Sequence, residues 1–126
     1  MKLLRTTLTV LIGILLLSGC SQASDVDSVL AQAKKDGKVV MLELGSVGCV
    51  PCEQMKPVMD KLRSGYKDKL EVYFVDVRRD NATGRRFNVH MIPTQVFLDK
   101  AGKEIHRHVG FYAYDEITTV LKKSGL

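Results

Sequence analysis

The chain of 126 residues has no tryptophan, only three cysteines and three prolines, and few aromatic residues, 6% in all. It has no run of five or six basic residues. With so few aromatics to stack on bases, nothing in it marks a nucleic-acid partner. No repeat and no low-complexity segment is present. Glu53, not histidine, follows Cys52, which excludes haem attachment at the nearby cysteine pair. Long hydrophobic runs are equally scarce. The apolar core at residues 8–17 carries no charge but is too short to span a bilayer comfortably.

What is present centres on Cys49-Val50-Pro51-Cys52. The apolar run before it, residues 39–44, reads as a buried strand. After it, Met55, Val58, Met59 and Leu62 recur at helical spacing. The two cysteines therefore sit at a strand-to-helix turn. Cys49 falls at the first free N–H groups of the helix, where the positive end of the dipole stabilises a thiolate. Cys52 lies about one turn further on, close enough for a disulfide across the turn. An ionisable thiol beside a second thiol able to displace its partner is the machinery of thiol–disulfide exchange.

The N-terminus says where that machinery works. Lys2 and Arg5 precede the apolar core, and Leu17-Ser18-Gly19-Cys20 follows it. This tetrapeptide resembles the lipobox of bacterial lipoproteins, in which the cysteine receives lipid and becomes the mature N-terminus. The resemblance implies a signal peptide at residues 1–19, lipidation at Cys20, a short link over 20–24, and a domain from 25 to 126. An ordinary cleaved leader and an uncleaved anchor are the alternatives, and all three export the domain. Removing residues 1–19 leaves 107 residues, enough for one domain with its own core. The leader holds two basic and no acidic residues, so 17 basic and 14 acidic residues remain, a mild net +3. With Cys20 lipidated, the other two cysteines pair and no stray thiol is left.

Beyond the link, Ser24 and Asp27 form a capping-box pattern that opens a helix, and Gly37 ends it. A strand over 39–45, a helix over 50–63 stopped by Gly65, and a strand over 70–77 make a right-handed βαβ unit with parallel strands. A weaker helix covers 80–87. Strands over 94–98 and 104–109 flank a hairpin signal at 99–102. A last helix, 114–123, buries Ile117, Val120 and Leu121.

These features together resemble the thioredoxin family from about residue 25 to 126. Besides the Cys-x-x-Cys pair, the resemblance rests on Ile92-Pro93-Thr94, with Pro93 41 residues after Cys52. Pro57 inside the helix and Glu43 six residues before Cys49 complete it. It implies an α/β, thioredoxin-like fold. Its shortened four-stranded mixed sheet is flanked by helices, and the strands run 70s, 40s, 90s, 100s in space.

The resemblance also implies roles. Cys49 is the nucleophile and Cys52 resolves the mixed disulfide. Glu43, on the same side of its strand as Met41, lies beneath the disulfide and moves a proton to or from Cys52. The alternative for Glu43 is a solvent-facing carboxylate at a strand end. Pro93 corresponds to the family's cis-proline and exposes the backbone of Ile92 to a substrate strand. Gly110 leaves space near that groove. Gly48 stands where the family has tryptophan, which implies a flatter, more open groove.

Two further groups have a bland and a functional interpretation. His90, His106 and His108 could join the cysteines in a metal site, but strand histidines on a solvent face are the expectation, with no metal. Arg78, Arg79, Arg85 and Arg86 could meet an acidic partner or simply form a charged helix surface.

The expected protein is a monomeric thiol–disulfide oxidoreductase, lipid-anchored to a bacterial membrane in the cell envelope. Its domain lies outside the cytoplasm, in the periplasm if the host has two membranes. It reduces client disulfides with the Cys49–Cys52 pair as its only redox group. Such a reductase needs a membrane protein as electron donor. An oxidase or isomerase, or a non-catalytic binding module, remain the alternatives.

Overall fold

The computed structural model describes residues 25–126; residues 1–24, with Cys20 and the Ser24 cap, lie outside them. Eight elements follow in order: α1 (Asp25–Lys35), β1 (Val39–Gly45), α2 (Val50–Tyr66), β2 (Leu70–Asp76), α3 (Asn81–Arg86), β3 (Thr94–Leu98), β4 (Glu104–Val109) and α4 (Tyr114–Lys123).

One four-stranded sheet is ordered β2-β1-β3-β4. β1 and β2 are parallel, β3 is antiparallel to β1, and β4 is antiparallel to β3. This is the order expected from the sequence. Every residue of β1 is buried, so the strand has no solvent face. Alternation then divides its side chains between two cores. Val39 and Met41 pack with Met55, Met59 and Leu62 of α2 and with Ile117 and Leu121 of α4. Val40, Leu42 and Leu44 pack on the other side with Val26 and Ala33 of α1.

The loops have local causes. Gly37 and Gly102 adopt φ of +66° and +86°, which glycine allows without a Cβ clash. Asp99 closes the β3–β4 hairpin by accepting from the Ala101 and Lys103 N–H groups, both at 2.9 Å. Asp80 caps α3, accepting from Thr83 N–H at 3.0 Å and from the Thr83 hydroxyl at 2.6 Å. Capping confines that helix to one residue less at each end than the 80–87 expected.

The sequence places the end of the active-turn helix at Gly65, and the structure corrects this. α2 runs through Gly65 to Tyr66. The tyrosine packs against the α2–α4 core, and that contact outweighs the roughly 1 kcal/mol cost of a helical glycine. β2 likewise ends at Asp76, one residue short of the expected bound.

Candidate active site

The site lies where β1 hands the chain to α2. Gly48 takes φ +78°, a left-handed turn that a tryptophan would adopt only under strain. Cys49 follows in extended conformation as the N-cap of α2, and its carbonyl accepts from Glu53 N–H at 2.9 Å. Pro51 occupies the first turn, where helix N–H groups have no intrahelical partner, so its missing donor costs little. Val47 N–H donates to Asp76 at 3.3 Å and ties the turn to the end of β2.

Cys49 and Cys52 are joined as a disulfide, with Cα atoms 5.2 Å apart. Cys49 is half-buried, whereas Cys52 is only 2% exposed. Gly45 makes room for the inner sulfur: a Cβ there would stand 3.1 Å from Cys52 Sγ and 3.2 Å from the Phe74 ring. Beside this contact a groove of about 300 Å³ opens, lined by Ser46, Cys52, Glu53, Lys56 and Phe74 among others.

Glu43 is fully buried, on the α2 side of β1, in the same row as Met41 and Gly45. The solvent-facing alternative is therefore excluded. Strand register sets Phe74 of β2 on one side of it and Gln95 of β3 on the other, with His108 of β4 next in line. Neither carboxyl oxygen has a hydrogen-bond partner in the protein. Burial pushes its pKa up from 4.5 to about 7, and the adjacent Gln95 amide tempers the rise. That amide donates its Nε2–H to the Gly110 carbonyl at 3.1 Å and leaves its own Oε1 without a donor.

The Ile92–Pro93 peptide is cis. Thr94 pairs with Leu44, so Pro93 stands level with the end of β1 from which the cysteine turn departs. Pro93 is buried and Ile92 half-buried. Gly110, at φ +95°, donates its N–H to the Pro93 carbonyl at 2.8 Å, and thus holds the loop after β4 against the proline. Val47 and Val50 beside Cys49, Met91 beside Ile92, and Phe111 beside Gly110 are exposed apolar side chains.

Other expectations need revision. His106 and His108 share a face, but that face is half-buried and not a solvent face. His108 stacks on Tyr112 at 3.8 Å between centroids, and His106 shares a 3.0 Å hydrogen bond with the Tyr112 hydroxyl. The tyrosine returns from the loop after β4 and covers them. Burial, then the charge of His108, holds the His106 pKa below its ordinary value. Among the described residues no group of three or more His, Cys, Asp or Glu side chains is arranged to hold a metal ion. The arginines are largely spoken for: Arg86 pairs with Asp27, Arg85 bonds Asn81, and Arg79 lies 3.9 Å from Asp76.

Sequence reasoning missed Gly45, Phe74, Gln95 and Tyr112. Gln95 did carry a signal, a long polar residue inside an otherwise apolar strand. The importance of Gly45 and Phe74 comes only from which strand lies beside which.

The chain matches a thioredoxin-like domain family over residues 26–125. It is 28% identical to a thioredoxin of Staphylococcus aureus over 91 residues, 72% of this chain and 86% of that one. Among solved structures it is similar to a thioredoxin h of poplar, with 26% identity and a TM-score of 0.67. That match covers 76% of this chain and 87% of the other. A thioredoxin of Nicotiana alata is similar at 27% identity and a TM-score of 0.67, covering 80% and 86%.

Buried Glu43 makes stability depend on pH in a defined direction. Its folded pKa of about 7 lies above the ordinary 4.5, so between these values the folded chain keeps a proton that the unfolded chain has lost. The stability this contributes is complete below about pH 4.5 and is lost as pH rises through about 7, on the order of 3 kcal/mol in total. Glu43→Gln removes that loss. In urea denaturation the variant should gain on the wild type by that order between about pH 5 and pH 8. A constant difference between the two proteins would mean that Glu43 titrates like a surface carboxylate.

Proposed function

The chain belongs to the thioredoxin-like family and is a thiol–disulfide oxidoreductase, and from that premise we propose that it is a membrane-tethered reductase of client-protein disulfides outside the cytoplasm. The observation that carries the chemistry is the unequal setting of the two sulfurs. Cys49 sits half-exposed at a helix N-terminus, while Cys52 is buried beside Gly45, which shares its face of β1 with a buried carboxyl whose pKa is near 7.

In the reducing direction the Cys49 thiolate attacks one sulfur of a client disulfide. A Cys49–client bond forms, the client bond breaks, and the departing client thiolate takes a proton. Cys52 then gives its proton to the Glu43 carboxylate and attacks Cys49 Sγ. The Cys49–Cys52 bond forms, and the second client sulfur leaves as a thiol after protonation. Two electrons have passed to the client, and the enzyme stands as the disulfide of the structure. An electron donor then restores the dithiol. Its own cysteine pair is the only redox group this cycle uses.

The cis peptide at Ile92–Pro93, flanked by the exposed side chains of Met91 and Phe111, suits an extended client segment pairing with Ile92 as an added strand. Isoleucine before the proline supports a reducing rather than an oxidising poise. The lipobox-like Leu17-Ser18-Gly19-Cys20 supports the tether. Residues 21–24 reach at most about 15 Å, so clients and a membrane-bound electron donor would be met close to the bilayer.

With dithiothreitol as electron source, residues 21–126 should reduce insulin disulfides. Cys49→Ser should abolish this, and Cys52→Ser should accumulate mixed disulfides; undiminished turnover by Cys49→Ser would sink the nucleophile assignment. Equilibration with glutathione buffers tests the direction. We expect a potential nearer the roughly −270 mV of thioredoxin than the −120 mV of DsbA, and a value above about −180 mV would select the oxidase or isomerase alternative.

The tether is tested by fractionation of expressing cells. The wild type should sediment with membranes at a mass raised by lipid, and Cys20→Ala should lose both the lipid and cleavage at that site. A soluble, lipid-free wild type would make the leader an ordinary signal peptide.

A further inference from the structure

Gln95 is fully buried in β3, a strand otherwise made of Thr94, Val96, Phe97 and Leu98, and the reaction sequence above does not use it. Its amide orientation follows from its partner. The Gly110 carbonyl can only accept, so Nε2 faces it at 3.1 Å and Oε1 turns the other way. Among the described residues the buried side-chain polar atoms without a partner are Gln95 Oε1 and the two oxygens of Glu43. The two residues are register partners on adjacent strands, whose side chains stand about 5 Å apart at Cβ on one face.

This pattern depends on one proton. A protonated Glu43 has an O–H, and Gln95 Oε1 is the neighbouring acceptor that lacks a donor. An ionised Glu43 has no O–H to give and needs a donor, because a bare buried charge is costly. Gln95 Nε2 is the neighbouring amide donor; one of its two N–H groups is given to Gly110, and the other can turn to the carboxylate. Gly110 in turn holds Pro93 through its N–H.

We infer that Gln95 is a positioning residue that couples the proton on Glu43 to the loop at Gly110 and Pro93. With Glu43 protonated, the amide accepts from the carboxyl and donates to the Gly110 carbonyl. With Glu43 ionised, the amide turns its second N–H to the carboxylate, and this rotation weakens the bond from Nε2 to the Gly110 carbonyl. The inference rests on the proposed roles of Glu43 as proton carrier and of the Pro93–Gly110 region as client groove. It then times the groove to the chemistry. When Cys52 passes its proton to Glu43 and the disulfide closes, the amide returns to Gly110. The oxidised structure shows that arrangement.

The titratable groups on the elements packed around this pair are Glu53 and Lys56 of α2, which line the groove beside Phe74, Asp76 of β2, two residues beyond Phe74 on the same face, His106 and His108 of β4, and Tyr112 in the loop after it. The test must separate Glu43 from them. NMR of the oxidised protein follows the Glu43 side-chain carboxyl carbon and the Phe111 amide nitrogen, which shares the peptide bond of the Gly110 carbonyl. In the wild type both signals should move with one midpoint. Glu43→Gln should remove that transition from Phe111, and any movement left belongs to the histidines.

Gln95→Met, of similar length and without hydrogen-bonding capacity, should uncouple them. The Glu43 midpoint should rise by about one pH unit, a tenfold loss of acidity, while Phe111 no longer follows. Gln95→Leu provides a second apolar variant. A wild-type Phe111 signal that ignores the Glu43 transition overturns the proposal, as does one that follows it unchanged in Gln95→Met. The catalytic role of Glu43 is read separately. If Glu43→Gln reduces clients at the wild-type rate while Phe111 tracks Glu43 in the wild type, the proton-carrier role fails and the coupling stands.

Discussion

A carboxyl group buried in a strand with no solvent face is the constraint to which the rest of the site answers. β1 is covered by α1 on one side and by α2 and α4 on the other, so each of its side chains must enter one core or the other. Alternation assigns Glu43 to the α2 side. Turning it outward would require a one-residue slip of β1, which would exchange both cores at once. The carboxyl therefore stays buried on the α2 side of the sheet, and desolvation keeps it largely neutral up to about pH 7.

The two cysteines feel opposite environments because they sit on opposite sides of the first helical turn. Cys49, at the N-cap, faces the free N–H groups and partial positive charge of the helix end, which favour an anion. Cys52 points inward onto bare Gly45, where little solvent reaches it. The half-exposed sulfur is the one a client can reach, and the buried one is placed to displace it. Here the division follows from where α2 starts, and that start depends on Gly48 turning the chain and Pro51 tolerating the first turn.

The far side of the groove is tied to the same helix. Tyr112 N–H donates to the sulfur of Met55, one turn beyond Cys52, at 3.3 Å. Its ring stacks on His108 and its hydroxyl meets His106. The loop after β4 is thus fastened to α2 at Met55 and to the cis proline through Gly110, which links the cysteine helix and the proline across the groove.

The elements and their order could be read along the chain, because hydrophobic period, turn glycines and caps act within a few residues. Strands over 39–45, 94–98 and 104–109 stand where the pattern put them, as does the helix over 114–123. Cys49, Cys52 and Pro93 were legible for the same reason, being local motifs with fixed spacing. Gly65 misled, since a local stop signal cannot anticipate that Tyr66 finds a core to pack against. The surroundings of Glu43 depend on contacts distant in the chain. Phe74, Gln95 and His108 are separated from it by 31, 52 and 65 residues of chain, and only strand order and register place them in one row. Whether a buried carboxyl is neutral or charged depends on that row, since desolvation is a property of the neighbours a fold supplies and not of the residue in its chain.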